Sequence, residues 1–137
     1  MGKAAGYSDT PLVKKLGIKP RTSIAIHNAP KDYERTLGRL PKQVNRAPGV
    51  ARLLDFIQFF TSEKRALERE FAKLARALAP AGMLWISWPK KASGVATDLT
   101  EDVIRAIGLA HGLVDVKVAA VDKVWSGLKF VRRVKDR

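Results

Sequence analysis

Alternating strand and helix signals predict a single α/β domain of three layers, with a mostly parallel sheet and an antiparallel hairpin at its C-terminal end. Three observations carry this. Apolar runs at Ser23–Asn28, Asp55–Thr61 and Met83–Trp88 are separated by segments of helical periodicity, the pattern of parallel strands joined by right-handed crossovers. The stretch from Ser62 to Pro89 reads as an amphipathic helix, a Pro-Ala-Gly break and a strand apolar enough to be covered on both faces. Finally, Val114–Val118 and Lys129–Arg133 alternate apolar with polar residues on either side of a Ser-Gly turn, as a hairpin does.

Residues 1–9 carry no periodic signal and are expected to be disordered. Thr10 and Pro11 open a short helix over 10–18, with Thr10 as cap and Pro11 at the first position, where a missing N–H costs nothing. Gly17 ends it in a left-handed turn that folds Ile18 back onto Val13; Lys14 and Lys15 face water. The first strand, Ser23–Asn28, stops at Pro30. Lys31–Leu40 forms a helix with Tyr33, Leu37 and Leu40 on one face, and a weak strand follows around Val44. After the second apolar strand, Thr61 or Ser62 caps a long helix whose core stripe is Leu67, Phe71, Leu74, Ala75 and Leu78. Pro80 and Gly82 end that helix. Lys90–Thr97 is a loop. The next helix is capped by Asp98 or Thr100, and with Asp98 as cap, Glu101 completes a capping box. Val103, Ile104, Ile107 and Leu109 are its apolar residues, and Gly112 ends it.

A chain of 137 residues is one domain by length and long enough to bury an ordinary core. It has no cysteine, which excludes disulfides, thiolate metal sites and a cysteine nucleophile. No apolar run reaches the ~20 residues of a membrane span, and the N-terminal segment lacks the apolar centre of a signal peptide; the expected location is the cytoplasm, with no membrane partner. The charge balance, 26 Lys and Arg against 13 Asp and Glu for a net +13, favours encounter with polyanions. Contact with nucleic acid, a phosphorylated ligand or an acidic protein is one reading of this excess, and plain solubility is the other.

The helix, turn and strand of Ser62–Pro89, taken with the overall element order, resemble class I S-adenosylmethionine-dependent methyltransferases over residues 22 to 133. The resemblance implies a Rossmann-like, methyltransferase-like sheet. The stretches YSDTPLVKKLGIK, WPKKASGVATDLTEDVIR and GLVDVKVAAVDKVWSGLKFV are similar, over nearly the full length, to a bacterial domain family of unknown function, which brings no activity, cofactor or catalytic residue with it. The methyltransferase resemblance implies a glycine-rich loop after the first strand and an acid after the second to hold the cofactor's ribose. Here the first position reads His27-Asn28-Ala29-Pro30 and the second offers only Asn45 and Arg46. Proline removes an N–H donor and alanine a close backbone approach, so no cofactor is expected.

In open α/β sheets, ligands sit at the carboxyl ends of the strands. The candidate ligand or anion site is therefore His27, Asn28 and Thr61 with the loop residues Lys90, Lys91, Ser93 and Gly94. Two lysines and a Ser-Gly turn before a helix suit a phosphate or carboxylate, although the spacing is not that of a phosphate loop. His27 is a candidate general base; a structural strand-end histidine explains it as well. His111, near a helix end, reads as a solvated side chain. Asp98, Glu101 and Asp102 lie close together in sequence, as metal ligands do, but are accounted for by capping, so no metal is expected. Trp85 and Trp88 are an odd number apart on one strand and face opposite sides; Trp88, near the strand end, is also a candidate to line the pocket. Trp125, in a turn, is a candidate partner anchor. Arg65, Arg69, Lys73 and Arg76 form a basic helix face, and Arg65 and Arg69 with Trp125 make the candidate partner surface. The tail adds Arg132, Arg133, Lys135 and Arg137.

Three functions remain open. The leading expectation is a non-catalytic binding module for an anionic partner on a degenerate fold. The alternatives are a divergent, methyltransferase-like enzyme with a pocket at the strand carboxyl ends, and a protein-interaction subunit.

Overall fold

The computed structural model describes residues 10–49 and 53–137; the segment 1–9, expected to be disordered, lies outside them. In chain order the elements are α1 (Leu12–Leu16), β1 (Ser23–His27), α2 (Tyr33–Leu37), β2 (Asn45–Arg46), β3 (Leu54–Phe60), α3 (Lys64–Ala77), β4 (Leu78–Pro89), α4 (Glu101–Ala110), β5 (Leu113–Ala120) and β6 (Trp125–Arg132). All six strands form one sheet in the order β2-β1-β3-β4-β6-β5. The first four run parallel, so the three apolar strands are central and mutually parallel as the sequence predicts.

The C-terminal antiparallel hairpin forms as expected, β5 with β6. Its antiparallel strand is not at the edge: β6 sits between β4 and β5, antiparallel to both, and β5 is the edge strand running the same way as β4. The crossover through α4 carries β5 one position beyond β4, and β6 returns into the gap. This order buries Leu128 and Phe130 completely, which an edge position would leave half wet.

Two apolar layers flank the sheet. On one face α3 and α4 cover Ile57, Phe59, Leu84, Ile86, Trp88, Leu128 and Phe130. On the other, α1 and α2 cover Ile24, Phe56, Phe60 and Trp85. Trp85 and Trp88 thus point to opposite faces, as their spacing requires. The Trp85 indole N–H donates to the Leu16 carbonyl at 2.9 Å, fastening the end of α1 to the sheet. Under α2 lies a buried polar chain. The Tyr33 hydroxyl donates to Gln58 Oε1 at 2.7 Å, and Gln58 Nε2 donates to Ser87 Oγ at 3.1 Å. Burial raises the Tyr33 phenol well above its usual range, against the Gln58 hydrogen bond that lowers it.

Several boundaries depart from the sequence reading for local reasons. α1 has Pro11, not Thr10, at its N-cap and no side-chain cap bond. Its other end is as expected, with Gly17 at φ 87° and the Ile18 N–H returning to the Val13 carbonyl. α2 is only five residues long, because Asp32 (φ 66°) and Gly38 (φ 82°) take left-handed backbone on either side. α3 ends at Ala77, before Pro80. The residue preceding a proline is pushed out of helical backbone, and the chain enters β4 directly. The C-terminal carbonyls this exposes are taken by Arg132, which donates to Ala75 and Leu78; this tail arginine therefore has a structural partner. Leu109 lies off the apolar stripe of α4 and is exposed, while Gly108 is buried against Phe130. A bulge between Asp115 and Lys117 shifts β5 by one residue, so its valines do not share one face.

Candidate functional site

The carboxyl ends of β1, β3 and β4 come together because the three strands are adjacent and parallel. His27 ends β1 opposite Phe59 of β3. Its ring stacks on that phenyl, centroids 5.6 Å apart and planes 16° apart. Asn28 follows at φ 60°, exposed. Thr61 is nearly buried: its N–H donates to the Ser87 carbonyl at 3.0 Å, and its hydroxyl accepts from the Glu63 N–H at 3.2 Å.

The loop after β4 is strapped to the start of α3. The Thr97 hydroxyl donates to the Ser62 carbonyl at 2.6 Å, and Asp98 Oδ1 accepts from the Lys64 N–H at 2.7 Å. Asp98 therefore caps α3 from 34 residues away, where Thr61 or Ser62 was expected. α4 is capped by Thr100, whose hydroxyl accepts from the Val103 N–H. The capping box with Glu101 does not form. Glu101 and Asp102 instead bind Arg105, which also donates to Asp115 at 2.8 Å and holds that carboxyl below its usual range. These four carboxylates are committed to helix ends and one guanidinium, and among the described residues no group of His, Asp and Glu is arranged to hold a metal ion.

Within the predicted anion loop, Ser93 serves the turn. Its hydroxyl donates to the Lys90 carbonyl at 2.7 Å and accepts from the Val95 N–H at 3.1 Å. Gly94 takes φ 78°, and its N–H returns to Lys91. The Lys90 N–H donates to the Val124 carbonyl, joining this loop to the turn of the hairpin. Lys91 and Gly94 line a cavity of about 330 Å3 with Val95, Thr97, Leu99 and Thr100. That cavity combines one ammonium group, hydroxyls and an apolar wall. It lies before the first turn of α4, whose acids Glu101 and Asp102 are already paired with Arg105.

The remaining candidates lie elsewhere. Trp125 is half-buried, packed edge-to-face on Phe60 with centroids 5.2 Å apart; Trp88 is buried in the core under α3 and α4. Arg65 and Arg69 are exposed on α3, interleaved with Glu63, Glu68 and Glu70, and Arg69 lies 3.6 Å from Glu70. That face is mixed in charge. His111 caps the end of α4, its Nδ1 2.9 Å from the Ile107 carbonyl and its ring against Phe71.

Sequence reasoning did not find Glu34. It projects from α2 toward Arg46 at the end of β2, and the two form a bidentate pair with both bonds at 2.7 Å. Arg46 keeps the Glu34 carboxyl below its usual range. The twelve-residue separation across a loop hides this pair from any spacing rule.

No protein-family model matches the sequence, and no curated protein does; the bacterial domain family resemblance thus gains no support from these comparisons. Solved structures do match. A magnesium protoporphyrin IX methyltransferase from Synechocystis PCC 6803, solved with S-adenosylmethionine bound, superposes with a TM-score of 0.58 at 13% identity, covering 89% of this chain and 74% of that one. A S-adenosylmethionine-dependent methyltransferase from Aquifex aeolicus gives 0.59 at 15%, covering 87% and 86%. A chain from the Haloferax volcanii complex of the Trm112 activator with a methyltransferase gives 0.58 at 9%, covering 88% and 86%. The fold is therefore methyltransferase-like and Rossmann-like.

The residues present do not fit S-adenosylmethionine in the place this fold implies. The turn after β1 carries Pro30, which has no N–H, and no glycine. Its following helix has five residues and begins at a left-handed Asp32. At the end of β2, where an acid would take the ribose hydroxyls, a guanidinium stands instead, its nearest carboxylate already committed to it. Among the described residues, no helix is long and apolar enough to cross a membrane.

Proposed function

We propose that this chain is a divergent, methyltransferase-like protein that binds a small molecule at the carboxyl ends of β1, β3 and β4, in an enzyme-type site that does not hold S-adenosylmethionine in the usual pose. The observation that carries this is the sheet itself. Four parallel strands followed by an antiparallel insertion bring His27, Asn28, Thr61 and the Lys90–Thr100 loop to one end. The solved methyltransferases share that architecture.

The ligand class that suits the loop cavity has an anionic group for Lys91 and an apolar body for Val95 and Leu99. Thr97 and Thr100 add hydroxyls for orientation. His27 stacks on Phe59 at the carboxyl end of β1 and is the candidate general base of this reading.

This reading displaces the non-catalytic polyanion module as the leading function, because the basic face of α3 is broken by glutamates and Ser93 is absorbed by its own turn. A protein partner remains compatible with the scaffold, since a similar fold is found in a complex with an activator.

The test is a thermal-shift screen of small organic acids and phosphate esters, followed by amide shift mapping of each hit. Hits should perturb Asn28, Thr61, Gly94 and Thr97. Hits that map only to the opposite end of the sheet, around Gly17 and Ala81, would overturn the assignment.

A further inference from the structure

The sheet face that carries α1 holds a second group of side chains, away from the loop cavity. Lys129 of β6 stands directly opposite Lys117 of β5 across the antiparallel ladder, and opposite Trp85 of β4 on its other side. Trp85 is the residue bonded to the last carbonyl of α1, so Lys129 lies one strand from the end of that helix. Lys117 reaches back over it, its ammonium 3.2 Å from the Lys15 carbonyl. Three lysines from α1, β5 and β6 therefore meet at one place.

Like charges directly opposite on antiparallel strands are destabilising. Here the pair is retained, and a third lysine is folded against it. Lys15 and Lys129 are half-buried, whereas Lys117 is exposed. Burial first, and Lys117 second, holds both the Lys15 and Lys129 ammonium groups below the usual lysine range. Lys90 adds to this at Lys15, and Lys19 at Lys129. The ion pairs among the described residues all lie elsewhere, on Arg46, Arg69 and Arg105. The carboxylate nearest Lys19 in the cavity at the amino ends of the strands is Asp55, which accepts the Ser23 N–H. The expectation that Lys15 simply faces water is thus corrected: it is one wall of a basic cluster.

We propose that Lys15, Lys117 and Lys129, with Lys19 and Lys90 at the rim, form a binding surface for phosphate groups, supplied either by a free oligophosphate or by a nucleic-acid backbone. An anion here would relieve the mutual repulsion of the ammonium groups. Lysine gives compact, freely rotating point charges that bind phosphate oxygens without fixing their orientation. Of these lysines only Lys90 belongs to the loop used by the proposed function, and the site stands if that reading fails.

The experiment is fluorescence anisotropy with a labelled 20-base-pair DNA duplex between 50 and 200 mM salt, with inorganic tripolyphosphate as competitor and as a direct calorimetric titrant. Four neutralised phosphates give a log-log salt slope near −3.6 and a loss of about 150-fold across that range. The variant Lys117→Gln/Lys129→Gln should bring the slope to about −1.8. Because Lys117 also contacts α1, Lys19→Gln/Lys129→Gln provides a second pair that leaves this contact intact. Arg65→Gln/Arg69→Gln makes the same charge change on the opposite face of the sheet and should leave the slope near its starting value. If tripolyphosphate binds through the same lysines, a compact oligophosphate is the ligand. If only the duplex does, the backbone is. No binding of either probe at 50 mM salt would overturn the proposal, as would an equal loss in the Arg65/Arg69 variant.

Discussion

Gly108 sits where α4 crosses β6, and replacing it by alanine opposes two effects of known size. In a helix interior the change from glycine to alanine gains about 1 kcal/mol. A Cβ at this position would lie 2.0 Å from Phe130 Cε1 and 2.5 Å from its Cζ, more than 1 Å inside ordinary contact. Phe130 cannot swing away: it is fully buried and meets Phe71 edge-on at 5.7 Å. Overpacking a core costs typically 1–3 kcal/mol, and a displacement this large belongs at the upper end. The net expectation is a destabilisation of about 2 kcal/mol, or roughly 6–10 °C in Tm for a domain of this size. Calorimetry on Gly108→Ala reads this directly. Phe130→Leu in the same background should recover part of the loss, the coupling expected of residues in contact. A Tm unchanged or raised in Gly108→Ala would mean that α4 does not pack on β6 at this point.

Trp85→Phe keeps most of the buried ring but leaves the Leu16 carbonyl without its donor; a loss of about 1–3 kcal/mol is expected in urea unfolding, and no loss would mean that α1 is not fastened there. Tyr33→Phe leaves Gln58 Oε1 unpaired and should cost a similar amount. Its pH dependence is the sharper readout. A phenol whose folded pKa is raised contributes stability that is complete below the unfolded value near 10 and is lost above it, at up to ~1.4 kcal/mol per pH unit. Lys15 and Lys129, whose folded values are lowered, act in the opposite sense. The diagnostic is therefore the difference between wild type and Tyr33→Phe from pH 9 to 11.5, where wild type should fall more steeply; parallel curves would refute the buried phenol.

The central strands were legible because each is a short apolar run bounded by breakers, and Gly17 because a left-handed turn needs a residue without Cβ. What the sequence concealed depends on partners far along the chain. Asp98 reads as the cap of the helix that follows it, yet serves the one that begins 34 residues earlier. Gln58 looks like a polar interruption of an apolar strand until Tyr33 and Ser87 arrive on either side of it. Arg132 counts as tail charge until α3 ends and its guanidinium takes up the Ala75 and Leu78 carbonyls. The place of β6 inside the sheet was also hidden, since a hairpin pattern specifies pairing between its own strands and not which of them meets the neighbour. For the site, the positions of His27, Thr61 and the Lys90 loop at the strand ends followed from topology. The lysine cluster did not, because it assembles α1, β5 and β6 from three distant segments.

The claim that this fold has given up its usual cofactor place rests on Pro30 in the turn after β1 and on the Glu34–Arg46 pair at the end of β2. Titration calorimetry with S-adenosylmethionine and with S-adenosylhomocysteine, each against the full chain, tests it most directly. No binding tighter than about 1 mM, a standard free energy of ~4 kcal/mol, is expected for either. Micromolar affinity for either compound would contradict the account and make the chain an ordinary cofactor-binding member of its fold.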